Sequence, residues 1–245
     1  MNIAILEAGA PPGRLEARYG SYGDMFRRLL GTAFSFEVFD VRGGALPAES
    51  GAGAYVITGS SSGVYDGEPW IEALKGFVRE RAGDAPMLGV CFGHQVMAEA
   101  LGGQVIKSPK GWGVGLQRYD ITTKTPWMDG VDSIALPVSH QDQVVEIGPE
   151  ARVLAGNAFN PFGMVDYPGL RAMSVQAHPE FDVEFAAALI ESRRGQQFDD
   201  QTADAAIASL KTSNDSRRVA VWLRRFLNPA PQRTNPAGAA TSKRP

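Results

Sequence analysis

A lone cysteine, and a histidine with a glutamate two residues beyond it, are the groups in these 245 residues best suited to covalent chemistry. Cys91 follows the apolar run Pro86–Val90 and precedes GHQVMAEALGG, so it sits where a buried strand gives way to a helix. A sharp strand-to-helix turn lifts a side chain above the sheet, where it can attack a carbonyl carbon. Gly89 and Gly93 flank the cysteine at two residues on either side, where small residues relieve crowding in such a turn. The helix N-terminus adds positive potential that favours the nucleophilic thiolate. The same turn aims the Phe92 N–H at a developing oxyanion. A free cysteine more often packs as a small hydrophobe, but Gly-x-Cys-x-Gly at a strand–helix junction reverses that preference.

His178 lies in AHPEF, and the proline after it biases its backbone toward an extended form. Residues i and i+2 of an extended segment share a face, so Glu180 can reach one imidazole nitrogen while the other faces the thiol. That is the logic of a base held in one tautomer by a carboxylate. His140, in SHQDQV, is the competing base, and His94, one helical turn past Cys91, is given no catalytic role.

Taken together and in this order, GVCFGHQ (89–95) and AHPEF (177–181) resemble the nucleophile and His-Pro-Glu motifs of class I glutamine amidotransferases. The resemblance spans roughly residues 1–192 and is nearest to the amidotransferase domain of GMP synthase and its stand-alone relatives. It implies a triad of Cys91, His178 and Glu180 and hydrolysis of a γ-glutamyl amide through a thioester. TGSSSGVYD (58–66) resembles the family's oxyanion loop, which assigns a second oxyanion donor to Gly59 or Ser60 beside Phe92. Gln95 looks like the family glutamine that contacts the substrate's α-substituents, and Ser139, His140 and Asp142 fall on the loop bordering that pocket. The resemblance implies no cofactor. The expected ligand is glutamine or another γ-glutamyl compound, with a separate ammonia-accepting synthetase as the possible protein partner. A γ-glutamyl peptidase would use the same residues, and a non-catalytic relative that keeps the fold is the reading from a different class.

The elements that must position these groups alternate short β-rich runs with helical patterns, as in an α/β layered domain. Strands are expected at Asn2–Leu6, Phe34–Asp40, Gly53–Ile57 and Pro86–Val90, and helices over Tyr22–Leu30, from Pro69, after Cys91 and from Val183. Further strands at Leu116–Thr122, Gln143–Ile147 and Ala172–Gln176 should extend or flank the sheet, partly antiparallel. With the resemblance, the fold class is three-layer and flavodoxin-like, a mostly parallel central sheet with helices on both faces. Residues 1–192 are read as the amidotransferase domain and 193–227 as a helical extension, with helices near Asp204–Leu210 and Arg217–Leu227. Residues 228–245, rich in Pro and Ala, read as a disordered tail.

Composition agrees with a folded globular chain, at 44% hydrophobic and 21% charged. A net charge of -3 without a dense basic run argues against nucleic-acid binding. No apolar run approaches a membrane span, and MNIAILEAGAPPGR lacks the marks of a signal peptide, so the cytoplasm is the expected location. One cysteine and three unclustered histidines give no zinc-type metal site.

Overall fold

The computed structural model describes residues 1–48 and 51–228; the tail reading falls, from residue 229 on, outside the described residues. The chain begins with strand β1 (Asn2–Glu7), helices α1 (Arg14–Tyr19) and α2 (Tyr22–Leu30), and strands β2 (Ser35–Asp40) and β3 (Ala54–Ile57). Helix α3 (Pro69–Arg81), β4 (Met87–Val90) and α4 (Phe92–Ala100) follow. A run of strands comes next: β5 (Gln104–Lys107), β6 (Gly113–Ile121), β7 (Ser133–His140), β8 (Asp142–Glu146), β9 (Arg152–Gly156), β10 (Met164–Tyr167) and β11 (Ala172–Val175). Helices α5 (Val183–Arg193), α6 (Asp200–Ser209) and α7 (Ser216–Leu227) complete the described chain.

Nine strands form one sheet in the order β2-β1-β3-β4-β11-β10-β9-β6-β7. Pairing is parallel from β2 through β11 and antiparallel beyond it. Alternation along the strands splits the core into two layers. Ile3, Ile5, Val56 and Leu88 face Phe26 and Leu30 of α2 together with Val219, Trp222 and Leu223 of α7. Ala4, Leu6, Tyr55 and Ile57 face Ile71, Leu74 and Val78 of α3 and Val96 of α4. The sheet thus carries helices on both faces, the arrangement expected of the three-layer class.

Local signals explain most boundaries. Ser21 caps α2 in a reciprocal capping box with Asp24, and Pro69 occupies the first position of α3. Gly102, at φ 91°, stops the chain just after α4. The structure adds α1, β5, β7, β9 and β10 to the elements expected from sequence. The Gln143–Ile147 strand is β8, which pairs with β5 in a separate two-stranded sheet and so flanks the main one. The first C-terminal helix begins four residues earlier than expected, at Asp200, because Asp199 caps it through Thr202 N. Helix α7 lies on the sheet beside α2, with Trp222 and Leu227 fully buried, and α6 packs on β6.

Because β3, β4 and β11 run parallel as neighbours, their carboxyl ends share one edge. The segments leaving that edge are Thr58–Ser60, Cys91 and Gln176–His178. Through β10, β9 and β6 the direction of β7 is parallel to β11, so His140 at the end of β7 falls on the same edge. Ligand sites of open α/β sheets gather there.

Candidate active site

Cys91 has φ 53° and ψ -105°, one of two non-glycine residues at positive φ among the described residues. An L-residue is strained there, and the surrounding bonds hold it in place. Cys91 N donates to Val175 O of β11 at 2.9 Å, and Gly93 N donates to Thr58 O at the end of β3 at 3.1 Å. The two flanking glycines are required by close packing. A Cβ on Gly89 would stand 2.5 Å from Gly93 O, and one on Gly93 would collide with the Ile57 carbonyl. The elbow is therefore pressed directly against β3.

His178 is buried, and its backbone N–H donates to Pro137 O of β7 at 2.8 Å. Its Nδ1 lies 2.6 Å from Glu180 Oε1, so the ring donates from Nδ1 and leaves Nε2 for the cysteine. The Phe181 ring stacks on the imidazole at 3.9 Å and 7° and fixes its plane. Burial disfavours the imidazolium, but the negative charges of Glu180 and Cys91 more than offset this and raise His178 from 6.5 to about 10. Gly59 touches both partners: a Cβ there would be 3.2 Å from His178 Cε1 and 3.7 Å from Cys91 Cβ.

The loop carrying Gly59 and Ser60 is pinned to the end of β1. Ala8 N donates to Thr58 Oγ1, which in turn donates to Gly59 O, and Gly9 packs against the Ser60 backbone. Among the hydrogen bonds of the described residues, the N–H groups of Gly59, Ser60 and Phe92 donate to no acceptor in the chain. Such a set of open donors around a nucleophile can receive an oxyanion.

Cys91 opens onto a cleft of about 350 Å³ lined also by Ser60, Gln95, Ser139, His140 and Asp142. All four residues expected to contact substrate therefore share one cavity with the cysteine. Gln95 Nε2 donates to Asp142 O and to Gln176 Oε1, at 3.0 and 3.1 Å, which leaves its carbonyl oxygen as the atom available to a ligand. His140 Nδ1 donates to Asp142 O at 3.0 Å. Burial lowers His140 to about 4, which favours its neutral ring. His94 is buried against Ser174 Oγ at 2.7 Å and lowered to about 3 by burial.

Tyr65, Trp112 and Arg193 are among the cleft residues that sequence reasoning missed. Tyr65 closes over Asp142, its hydroxyl donating to Oδ2 at 2.9 Å, and burial of the Asp142 carboxyl raises its pKa. Arg193, the last residue of α5, donates from Nη1 to Ser139 Oγ at 2.6 Å and lies over the Trp112 ring at 5.6 Å. Tyr65 stood in the segment read as the oxyanion loop, Trp112 in a Gly-rich stretch, and Arg193 looked like an ordinary basic residue ending a helix. Among the described residues no group of histidine, cysteine and carboxylate side chains is arranged to hold a metal ion, and no helix is long and apolar enough to cross a membrane.

An α/β sheet that is parallel through β11, with a strained cysteine at the strand–helix elbow beside a histidine–glutamate pair, defines the class to which this site belongs. The model of the class I glutamine amidotransferases matches residues 41–191, and the chain belongs to that family. It is 30% identical to a glutamine amidotransferase-like protein of Schizosaccharomyces pombe, over 92% of this chain and 98% of that one. Gamma-glutamyl peptidase 5 of Arabidopsis thaliana is 27% identical over 88% of this chain and 90% of its own length. A glutamine amidotransferase crystal structure from Thermotoga maritima superimposes with a TM-score of 0.76, covering 93% of this chain and 98% of that one at 16% identity; this likeness bears on the fold.

Proposed function

We propose that this protein is a hydrolase that cleaves γ-glutamyl amides through a thioester on Cys91. The observation that carries this reading is the cysteine held at positive φ beside a histidine hydrogen-bonded to Glu180, at the wall of a polar cleft. His178 takes the thiol proton, and the thiolate attacks the amide carbonyl carbon. The N–H groups of Phe92 and of Gly59 or Ser60 receive the oxyanion. As the C–N bond breaks, its electron pair stays on nitrogen and His178 returns the proton to it, so ammonia or an amine leaves. His178 next takes a proton from water, which attacks the thioester and releases glutamate and the cysteine. Gln95, Ser139, His140 and Asp142 hold the glutamyl α-substituents. The catalytic unit is assigned to residues 1–192, with 193–227 as the helical extension.

Family membership and the full-length similarity to a γ-glutamyl peptidase both support a hydrolytic reaction at this site. Two physiological settings use it equally well. In one, glutamine is hydrolysed and the ammonia passes to a synthetase on a separate chain. In the other, a γ-glutamyl peptide is the substrate and its amine is released. Cysteine chemistry is tested by mass spectrometry of the protein treated with a diazo-ketone analogue of glutamine. Labelling confined to Cys91, suppressed by glutamine and absent from Cys91→Ala, is expected; an unlabelled Cys91 sinks the proposal. Parallel assays of glutamine and γ-glutamyl dipeptides separate the two settings.

A further inference from the structure

Two basic side chains line the cleft, and of these Lys107 is exposed whereas Arg193 is partly buried. Its sequence neighbour Arg194 is held by the carboxylates of Glu191, Asp200 and Asp204. Arg193 forms no ion pair among the described residues; its partners are the Ser139 hydroxyl and the Trp112 face, and it lines the cleft with Cys91. A guanidinium carries five N–H donors, and the bond to Ser139 uses one of them. Burial works against its charge, and no carboxylate among the described residues pairs with it to offset that burial. Such a group is built to receive a planar anion.

The position of Arg193 says which part of a substrate it meets. Its helix α5 packs through Phe185 and Leu189 with Tyr22 and Phe181, and Phe181 stacks on His178. Arg193 is therefore on the His178 side of the nucleophile. The leaving nitrogen must be on that side too, because His178 protonates it. The opposite wall holds the Gln95 carbonyl oxygen and the Asp142 carboxylate joined to Tyr65, acceptors suited to the glutamyl α-ammonium. Ser139 and Trp112 hold the guanidinium in place.

Building on the γ-glutamyl thioester reading, we propose that Arg193 binds a carboxylate on the leaving-group half of the substrate. The preferred substrates are then γ-glutamyl amino acids or short peptides with a free carboxylate, and Arg193 is a specificity residue. Glutamine, whose leaving group is ammonia, offers nothing to this contact.

The test compares γ-glutamylglycine with γ-glutamylglycinamide, which differ only in that carboxylate. A charged hydrogen-bonding pair of this kind discriminates by about tenfold or more, so the intact protein should favour the acid by at least that in kcat/KM. Arg193→Gln should lower kcat/KM for the acid by about tenfold more than for the amide, and Arg193→Lys, which keeps the charge without the fork, should fall between. Equal turnover of acid and amide by the intact protein overturns the proposal, and this holds even if the variants fail to fold. Equal losses on both substrates in Arg193→Gln overturn it as well, since they would place the contact on the glutamyl half. Failure to turn over either dipeptide or glutamine, with Cys91 unlabelled, instead refutes the thioester reading beneath it.

Discussion

At the scale of single residues, the decisive arrangement is the stack of Phe181, His178 and Glu180 behind Cys91. Phe181 fixes the imidazole plane, Glu180 fixes its tautomer, and all three side chains are buried. The raised pKa of His178 sets the pH behaviour. Its proton is bound more tightly in the folded protein than in the unfolded chain, so the associated stabilisation is complete below 6.5 and is lost as pH rises toward about 10. The alkaline limb of the kcat/KM profile should therefore lie well above 6.5. Glu180→Gln removes a negative charge from the imidazolium and should move that limb to lower pH while reducing kcat by about 10²–10⁴-fold. A limb at the same pH in both proteins would mean that Glu180 does not govern the histidine.

At the scale of elements, the turn between β4 and α4 concentrates the fold's constraints. Positive φ at Cys91, Gly89 against Gly93 O, and Gly93 against the Ile57 carbonyl all follow from driving a helix start into the end of β3. Gly93→Ala places a methyl group against that carbonyl, and overpacking of this kind destabilises by about 1–3 kcal/mol. Urea unfolding should register the loss, and labelling of Cys91 by the glutamine analogue should slow, because any shift of α4 moves the Phe92 N–H relative to the thiol. Unaltered stability and labelling would show that the elbow has room to relax. The neighbouring α5 connects two parts of the site. Asp182 caps it just after the His178 segment, and Arg193 ends it over Trp112, so one helix sets the base and the cleft cation relative to each other.

At the scale of the whole molecule, the last described helix is part of the main core. Trp222 and Leu223 of α7 pack with Phe26 and Leu30 of α2 over Ile3, Ile5 and Val56 of the sheet. Trp222→Ala should cost about 3–5 kcal/mol, the range for removing a large buried aromatic side chain. Chemical denaturation followed by fluorescence and by circular dichroism checks it: a single coincident transition shifted to lower denaturant is expected. A transition confined to α7 with the sheet unaffected would make the helix a separable appendage.

The sequence alone determined the parts whose geometry is local. A buried run stopped by Gly-x-Cys-x-Gly encodes its own strand–helix elbow, and His-Pro-Glu encodes an extended backbone that turns His178 and Glu180 toward each other. Pro69 and Gly102 marked helix limits for equally local reasons, a missing N–H and a left-handed backbone. The four residues expected to contact substrate came from likeness to a family and fell together in one cleft. Tertiary structure decided what depends on distant segments meeting. The parallel order of β3, β4 and β11 brings the loops beginning at Thr58, Cys91 and Gln176 to one edge. Burial by those elements lowers His140, whereas at His178 the negative charges of Glu180 and Cys91 outweigh burial and raise it, two opposite outcomes for one residue type. Arg193 and Ser139 are 54 residues apart and meet only because α5 lies beside β7. No local pattern encodes that contact, since a helix-ending arginine reads as solvent-facing until the fold sets it against Trp112 and leaves it without a carboxylate.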